Sequence, residues 1–123
     1  MDSEKRQLFR NLLLAQLTEH ARLVSEDQAA AINVDDGAKE SVDLAVRDVI
    51  EALALKLGEK ESQMVADIDQ ALLRLDEGTF GFCAGCGKPI DERRLEAMPT
   101  ARYDAPCQAM IEKAHGNEPR PKL

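Results

Sequence analysis

Large aromatic side chains are scarce in this sequence. Its 123 residues include three Phe, one Tyr and no Trp. Because aromatic side chains supply much of the buried area of a compact core, their scarcity argues against a large globular core. Charged residues make up 32% of the chain, and Ala, Leu, Glu, Lys and Arg are frequent. This composition favours extended helices that pack along a seam.

Long apolar runs and targeting segments are also missing. No stretch approaches the roughly 20 apolar residues that a membrane-spanning helix needs. The first residues, Met1 to Lys5, are not a basic segment followed by an apolar run, so no signal peptide is predicted. We therefore expect a cytoplasmic protein with no membrane partner.

The sequence has no excess of positive charge, and it lacks the residue patterns of common catalytic sites. The net charge is −7, and residues 1–83 carry 9 basic and 17 acidic side chains against 7 and 6 in residues 84–123. Because nonspecific binding to nucleic acid depends on clustered Lys and Arg, such binding is not expected. The sequence shows no Ser/His/Asp set and no glycine-rich phosphate loop, and its two His are isolated. We expect a binding protein and not an enzyme.

Two long stretches have helical periodicity. The first runs from about Ser3 to about Ala31 without Pro or Gly, and the second from about Glu40 to Asp76 with Gly58 in its middle. Apolar residues recur at three- and four-residue steps in both, so each helix has one apolar stripe. A short turn between long helices makes them antiparallel neighbours. The sequence predicts a coiled-coil hairpin over residues 1–77, with its tip near residues 35–45 and its second helix roughly 55 Å long.

All three cysteines lie in the next segment. Cys83 and Cys86 form a C-x-x-C turn followed by Gly87, and Cys107 follows twenty residues later. Two thiolates at this spacing can bind one metal ion from a tight turn. A second half-site of the same form is expected 15–20 residues on, and Asp104 occupies its first position. We predict a zinc-ribbon-like site with Cys83, Cys86, Cys107 and Asp104 as ligands of Zn²⁺. A site with three sulfurs is expected to be easily oxidised, and the alternative is a ribbon that folds without zinc.

The rest of the chain completes a mainly α fold with this small ribbon-like module and a short C-terminal helix. Asp91 is predicted to cap a helix over Glu92–Ala97, and a last helix is predicted from Cys107 to about Ala114. The module would cover residues 78–115, with Phe80 and Phe82 packed around it, and residues 116–123 would form a flexible tail.

Two runs in this module resemble the DksA/TraR family of bacterial transcription factors. They are Phe80 to Gly87, read as Phe-Gly-Phe-Cys-Ala-Gly-Cys-Gly, and Arg93 to Ala101, which contains Arg-Arg-Leu-Glu-Ala-Met-Pro. The resemblance is close over residues 78–107 and looser over the helices. The chain is shorter than the longest members and is expected to lack their N-terminal extension.

The resemblance implies a function for the hairpin. Family members bind RNA polymerase and insert the coiled-coil tip through its secondary channel toward the catalytic Mg²⁺. Their tip carries Asp-x-x-Asp-x-Ala, which aligns with Glu40, Asp43 and Ala45. Family members do not bind DNA directly, which implies no direct DNA binding here. Members that respond to ppGpp have basic residues where this chain has Asp67, Met98 and Gln108, so a weak or absent response to ppGpp at that site is expected. We expect a monomeric regulator of transcription initiation.

Two other functions are compatible with the residues. One is a thiol or zinc redox sensor built on Cys83 and Cys86, although redox C-x-x-C motifs usually begin a helix of a βαβ unit. The other is a coiled-coil adaptor with a structural metal ribbon and a different partner. Arg93 and Arg94 would either position the module or contact polymerase.

Overall fold

The computed structural model describes residues 1–32 and 44–116. Within those residues the only β pairing is an isolated antiparallel bridge between Phe82 and Pro89. The mainly α fold class is confirmed, as are the small cysteine module and the short C-terminal helix. The helices are α1 (Ser3–Arg22), α2 (Glu26–Ala30), α3 (Leu44–Lys56), α4 (Glu59–Glu77), α5 (Glu92–Ala97) and α6 (Ala105–Gly116).

Helices α1 and α4 pack as an antiparallel pair. His20 Nδ1 lies 2.6 Å from Glu61 Oε2 at one end of the pair, and Arg10 donates to Asp76 Oδ1 over 2.8 Å at the other. The two apolar stripes bury against each other between these contacts, as the predicted hairpin requires. The pair contributes these buried apolar residues to the core: Phe9, Leu13, Leu14, Leu17, Ala21, Val65, Ile68, Ala71, Leu72 and Leu75.

The first arm is interrupted, which corrects the predicted helix to Ala31. Helix α1 ends at Arg22, and α2 begins after Ser25. The Ser25 side chain accepts a hydrogen bond from the Gln28 amide over 3.1 Å, so it caps α2. Serine is a strong N-cap residue, and this local signal outweighs the otherwise helix-compatible sequence. At the start of α1 the cap is Asp2, whose side chain accepts from the Lys5 amide over 2.8 Å, and not Ser3.

The second arm is interrupted as well, so the prediction of one helix from Glu40 to Asp76 was wrong. Helix α3 ends at Lys56, and Gly58 stands before α4 with φ −68° and ψ 169°. Arg47 of α3 forms an ion pair with Asp69 of α4, 22 residues further along the chain. In one straight helix these residues would be about 33 Å apart. Helix α3 therefore turns back beside α4 and does not extend it.

The predicted tip lies mostly outside the described residues, which exclude 33–43 and so Glu40 and Asp43. Ala45 is described, and it is an exposed residue in the first turn of α3. The predicted flexible tail also falls outside the described residues beyond 116. Among the described helices, none combines the length and the apolar character needed to cross a membrane.

Candidate metal centre

The first half of the cysteine cluster is a tight turn after the Phe82–Pro89 bridge. The Cys83 amide donates to the Lys88 carbonyl over 2.8 Å, and the Gly87 amide donates back to the Cys83 carbonyl over 2.9 Å. Gly87 has φ +76°, a backbone conformation that favours glycine. The Gly85 amide points at Cys83 Sγ over 3.3 Å. The turn thus gathers amide donors and both sulfurs on one side.

The second half is the amino-terminal end of α6. Asp104 Oδ1 accepts from the Cys107 amide over 2.9 Å, which caps the helix. The other oxygen, Oδ2, lies 3.1 Å from Cys86 Sγ in the first half. One carboxylate therefore has two roles, since it starts α6 and faces the sulfurs. The helix begins at Ala105, two residues before the predicted start at Cys107.

Hydrogen bonds hold the cysteine turn and the segment that leads into α6 in the same module. The Ala84 amide donates to the Arg102 carbonyl over 2.8 Å, and Arg94 Nε donates to the Tyr103 carbonyl over 3.0 Å. The turn also approaches α6 closely, because a Cβ added at Gly85 would lie 3.4 Å from Cys107 Sγ. A methyl group at position 85 would therefore lie in van der Waals contact with Cys107.

The four predicted ligands meet in one cluster. Three sulfurs and one carboxylate oxygen, from Cys83, Cys86, Cys107 and Asp104, lie within 4.8 Å of one another. All three cysteines are free thiols, with Cys83 buried and Cys86 exposed. Sulfur ligands and a fourth oxygen suit the tetrahedral coordination of Zn²⁺. The cluster could therefore hold one metal ion.

The thiols of the cluster differ in acidity. Burial raises the pKa of Cys83, but backbone hydrogen bonds from Asp104, Cys86 and Gly85 outweigh it and lower that pKa to about 7. The hydrogen bond to the Asp104 carboxylate raises the pKa of Cys86, and it raises that of Cys107 to about 12. The same contacts, led by that with Cys86, lower the pKa of Asp104. In the metal-free protein Cys83 is the thiol that ionises near neutral pH.

The module rests on the helical pair through Phe80. That side chain is 5% exposed, and its ring centroid lies 5.2 Å from that of Phe9 in α1. Ile90 and Leu95 are buried on the same core. The two phenylalanines were predicted to pack around the module. Phe80 is buried, whereas Phe82 is 49% exposed. Phe82 carries the β-bridge instead.

The remaining predicted positions lie apart from the cluster. Arg93 is exposed. Arg94 is half-buried, and its hydrogen bond to the Tyr103 carbonyl links two parts of the module. Asp67 and Met98 line one surface groove between α1, α4 and α5. Gln108 does not line that groove, and its side chain donates to Glu112 within α6.

Comparisons with known proteins agree with this architecture. Residues 78–113 match the model of the prokaryotic dksA/traR C4-type zinc finger. The chain is 30% identical over 113 residues, 92% of its length and 80% of the relative, to the RNA polymerase-binding transcription factor DksA of Caulobacter vibrioides. It is 34% identical to the Haemophilus influenzae protein of that name, over 91% of this chain and 77% of the relative.

A solved structure gives the same result in three dimensions. Transcription factor DksA2 from Pseudomonas aeruginosa superposes with a TM-score of 0.64 and 30% identity, covering 95% of this chain and 90% of that one. The family's zinc finger is described as C4-type, which means four cysteine ligands. This chain has three cysteines in the cluster, and Asp104 takes the fourth ligand position. The sequence, the fold and the ligand cluster together show that the chain belongs to the DksA/TraR family.

Proposed function

We propose that this protein binds RNA polymerase directly and regulates transcription initiation. The observation that carries the proposal is the similarity to RNA polymerase-binding DksA proteins over 92% of the chain, helices and module together. The net charge of −7 favours a protein partner over direct DNA contact. Retention of core polymerase on the immobilised chain tests this step, and a chain that retains no polymerase would contradict it.

We further propose that Glu40, Asp43 and Ala45 form the part that acts inside the secondary channel. The support is the resemblance of these residues to the family's tip motif, together with the exposure of Ala45 at the start of α3. Carboxylates near a catalytic Mg²⁺ can bind its water or nearby basic groups. Asp43→Asn should abolish regulation of a responsive promoter while polymerase binding stays nearly intact. Loss of binding and regulation together would contradict the assignment.

Zinc is the metal we propose for the cluster of Cys83, Cys86, Cys107 and Asp104. When bound, it would tie the cysteine turn to the start of α6 and supply a structural link, not a reaction. The atoms fit because they already lie within 4.8 Å of one another. Protein purified under reducing conditions should contain about one zinc per chain. A content near zero would mean that the backbone contacts alone hold the module.

We propose that ppGpp does not act through the groove lined by Asp67 and Met98. A carboxylate and a thioether offer no cation to a phosphate-rich anion, and Asp67 would repel it. Calorimetric titration of ppGpp into the free protein should show no binding at micromolar concentrations. Saturable binding that is lost in a groove variant such as Met98→Glu would contradict this.

A further inference from the structure

Both arms of the molecule break at the same level. Helix α1 ends at Arg22, α4 begins at Glu59, and the contact of 2.6 Å between His20 and Glu61 places these ends side by side. From that level α2 folds back against α1 on one arm, and α3 lies back along α4 on the other. Two helix breaks that lie side by side, one in each arm, are placed as a hinge across the hairpin would be.

Helix α3 is docked against α4 by its apolar stripe. Val46, Val49 and Leu53 are buried in the common core, while the opposite face of α3 is exposed. The ion pair of Arg47 with Asp69 fastens the same helix past the middle of α4. Ala45 therefore lies beside the α1–α4 pair and not beyond its end.

Across the break of the second arm, the Ser62 hydroxyl donates to the Leu57 carbonyl over 3.2 Å, and straightening the arm would replace this contact. Gly58 already has the helical φ of −68°, and its ψ of 169° is the angle of this residue that departs from the helical value. The glycine makes no side-chain cap, and a Cβ added there would meet nothing within 4 Å. The sequence from Leu44 to Glu77 has no Pro, and its apolar stripe is continuous through Leu57.

We propose that α3 is a latched arm, held on α4 by the Arg47–Asp69 pair and released by rotation at Gly58. In the docked form Ala45 lies beside α4. In the released form it lies about 33 Å from residue 67 along the axis of one straight helix. Polymerase binding would select the released form, since only that form can reach into a channel. This last step rests on the function proposed above, whereas the latch itself does not.

Spin-label distances test the latch in the full chain. Labels attached to an unnatural ketone amino acid at Asp48 and Gln70, both exposed, leave the three cysteines untouched. Docked helices place these sites within about 20 Å, and a straight arm places them about 33 Å apart. The free protein should show mainly the short distance. A free protein with mainly the long distance would overturn the proposal.

Charge variants show whether the ion pair is the latch. Asp69→Arg should increase the long-distance population about three- to ten-fold, and the exchanged pair Arg47→Asp with Asp69→Arg should restore the short distance. Gly58→Ala should also favour the long distance, because alanine stabilises a continuous helix. Glu51→Arg, an exposed charge on α3, is the matched control. Equal effects of Asp69→Arg and Glu51→Arg would overturn the latch.

Adding polymerase separates the two proposals. The long distance should become dominant in the complex. A complex that still regulates a promoter while keeping the short distance would overturn the release step and leave the proposed function standing. A protein that binds no polymerase would overturn the proposed function, and the free-protein distances would still decide the latch.

Discussion

Asp104 is the residue on which the ribbon differs from a four-sulfur site. Its two oxygens are used separately, since Oδ1 caps α6 through the Cys107 amide and Oδ2 faces Cys86. A cysteine at this position could offer one sulfur to a metal but would be a poor helix cap. With Asp104 in place of a cysteine, the site therefore has one sulfur ligand fewer, and α6 has a better N-cap.

The two roles of Asp104 can be separated by substitution. Asp104→Ser keeps a capping oxygen but loses the carboxylate, whereas Asp104→Ala loses both. Both variants should bind zinc at least about ten-fold more weakly, measured by competition with a chromophoric chelator. Only Asp104→Ala should lose hydrogen-exchange protection at the Cys107 amide of the metal-free protein. Equal protection in the two variants would mean that the cap does not hold this end of α6.

Cys83 should be the most acidic thiol of the metal-free protein. Its folded-state pKa is lowered to about 7, so it loses its proton as the pH rises through that value. Cys107, raised to about 12, stays protonated over the same range. Thiolate absorbance near 240 nm should show a first step near pH 7 that Cys83→Ser removes and Cys107→Ser retains. A first step that disappears in Cys107→Ser would reverse this order.

Spacing along the chain was enough to find the metal cluster, because the ligands of a ribbon lie within or next to tight turns. The predicted Cys83, Cys86, Asp104 and Cys107 are the four residues that meet. The cap of α1 at Asp2 and the Arg10–Asp76 pair were missed. The long-range pair joins residues 66 apart, and no local pattern indicates such a contact.

At the scale of elements, Phe80 is the anchor between the module and the helical pair. Its ring is buried against Phe9, while Phe82, two residues later, is half exposed. Phe80→Ala should lower the free energy of unfolding by about 3–5 kcal/mol, as expected for a buried aromatic side chain. Phe82→Ala, the matched control, should cost less than about 1 kcal/mol. Urea titrations of both variants measure this, and similar losses would contradict the packing.

Helix existence was predictable from the sequence, but helix continuity was not. The apolar stripes and the absence of Pro predicted helical structure in both segments, although each is divided into two helices. Ser25 and Gly58 are weak signals alone, since each favours a break by about 1 kcal/mol. Burial of α3 on α4 and the Arg47–Asp69 pair decide the outcome at Gly58, and both are tertiary contacts.

At the scale of the whole molecule, the protein is an acidic helical pair mounted on a nearly neutral cysteine module. Residues 1–83 carry 17 acidic and 9 basic side chains, so a partner surface for the helices should be basic. Binding to polymerase should therefore weaken as the salt concentration rises. This behaviour is expected of screened surface charges and is measured by the association rate at several ionic strengths. An association rate independent of salt would argue for an apolar contact instead.

If the proposed function is correct, the start of α3 and the acidic residues before it approach the catalytic centre of RNA polymerase in the complex. Fe²⁺ bound in place of the catalytic Mg²⁺ reduces added hydrogen peroxide to hydroxide and a hydroxyl radical and becomes Fe³⁺. The radical cuts protein backbone nearby. In the complex with this chain, end-labelled and otherwise unmodified, we predict cuts confined to residues 40–47. Cuts in the cysteine module around residues 83–107, or a stable complex with no cuts in the chain, would contradict the account.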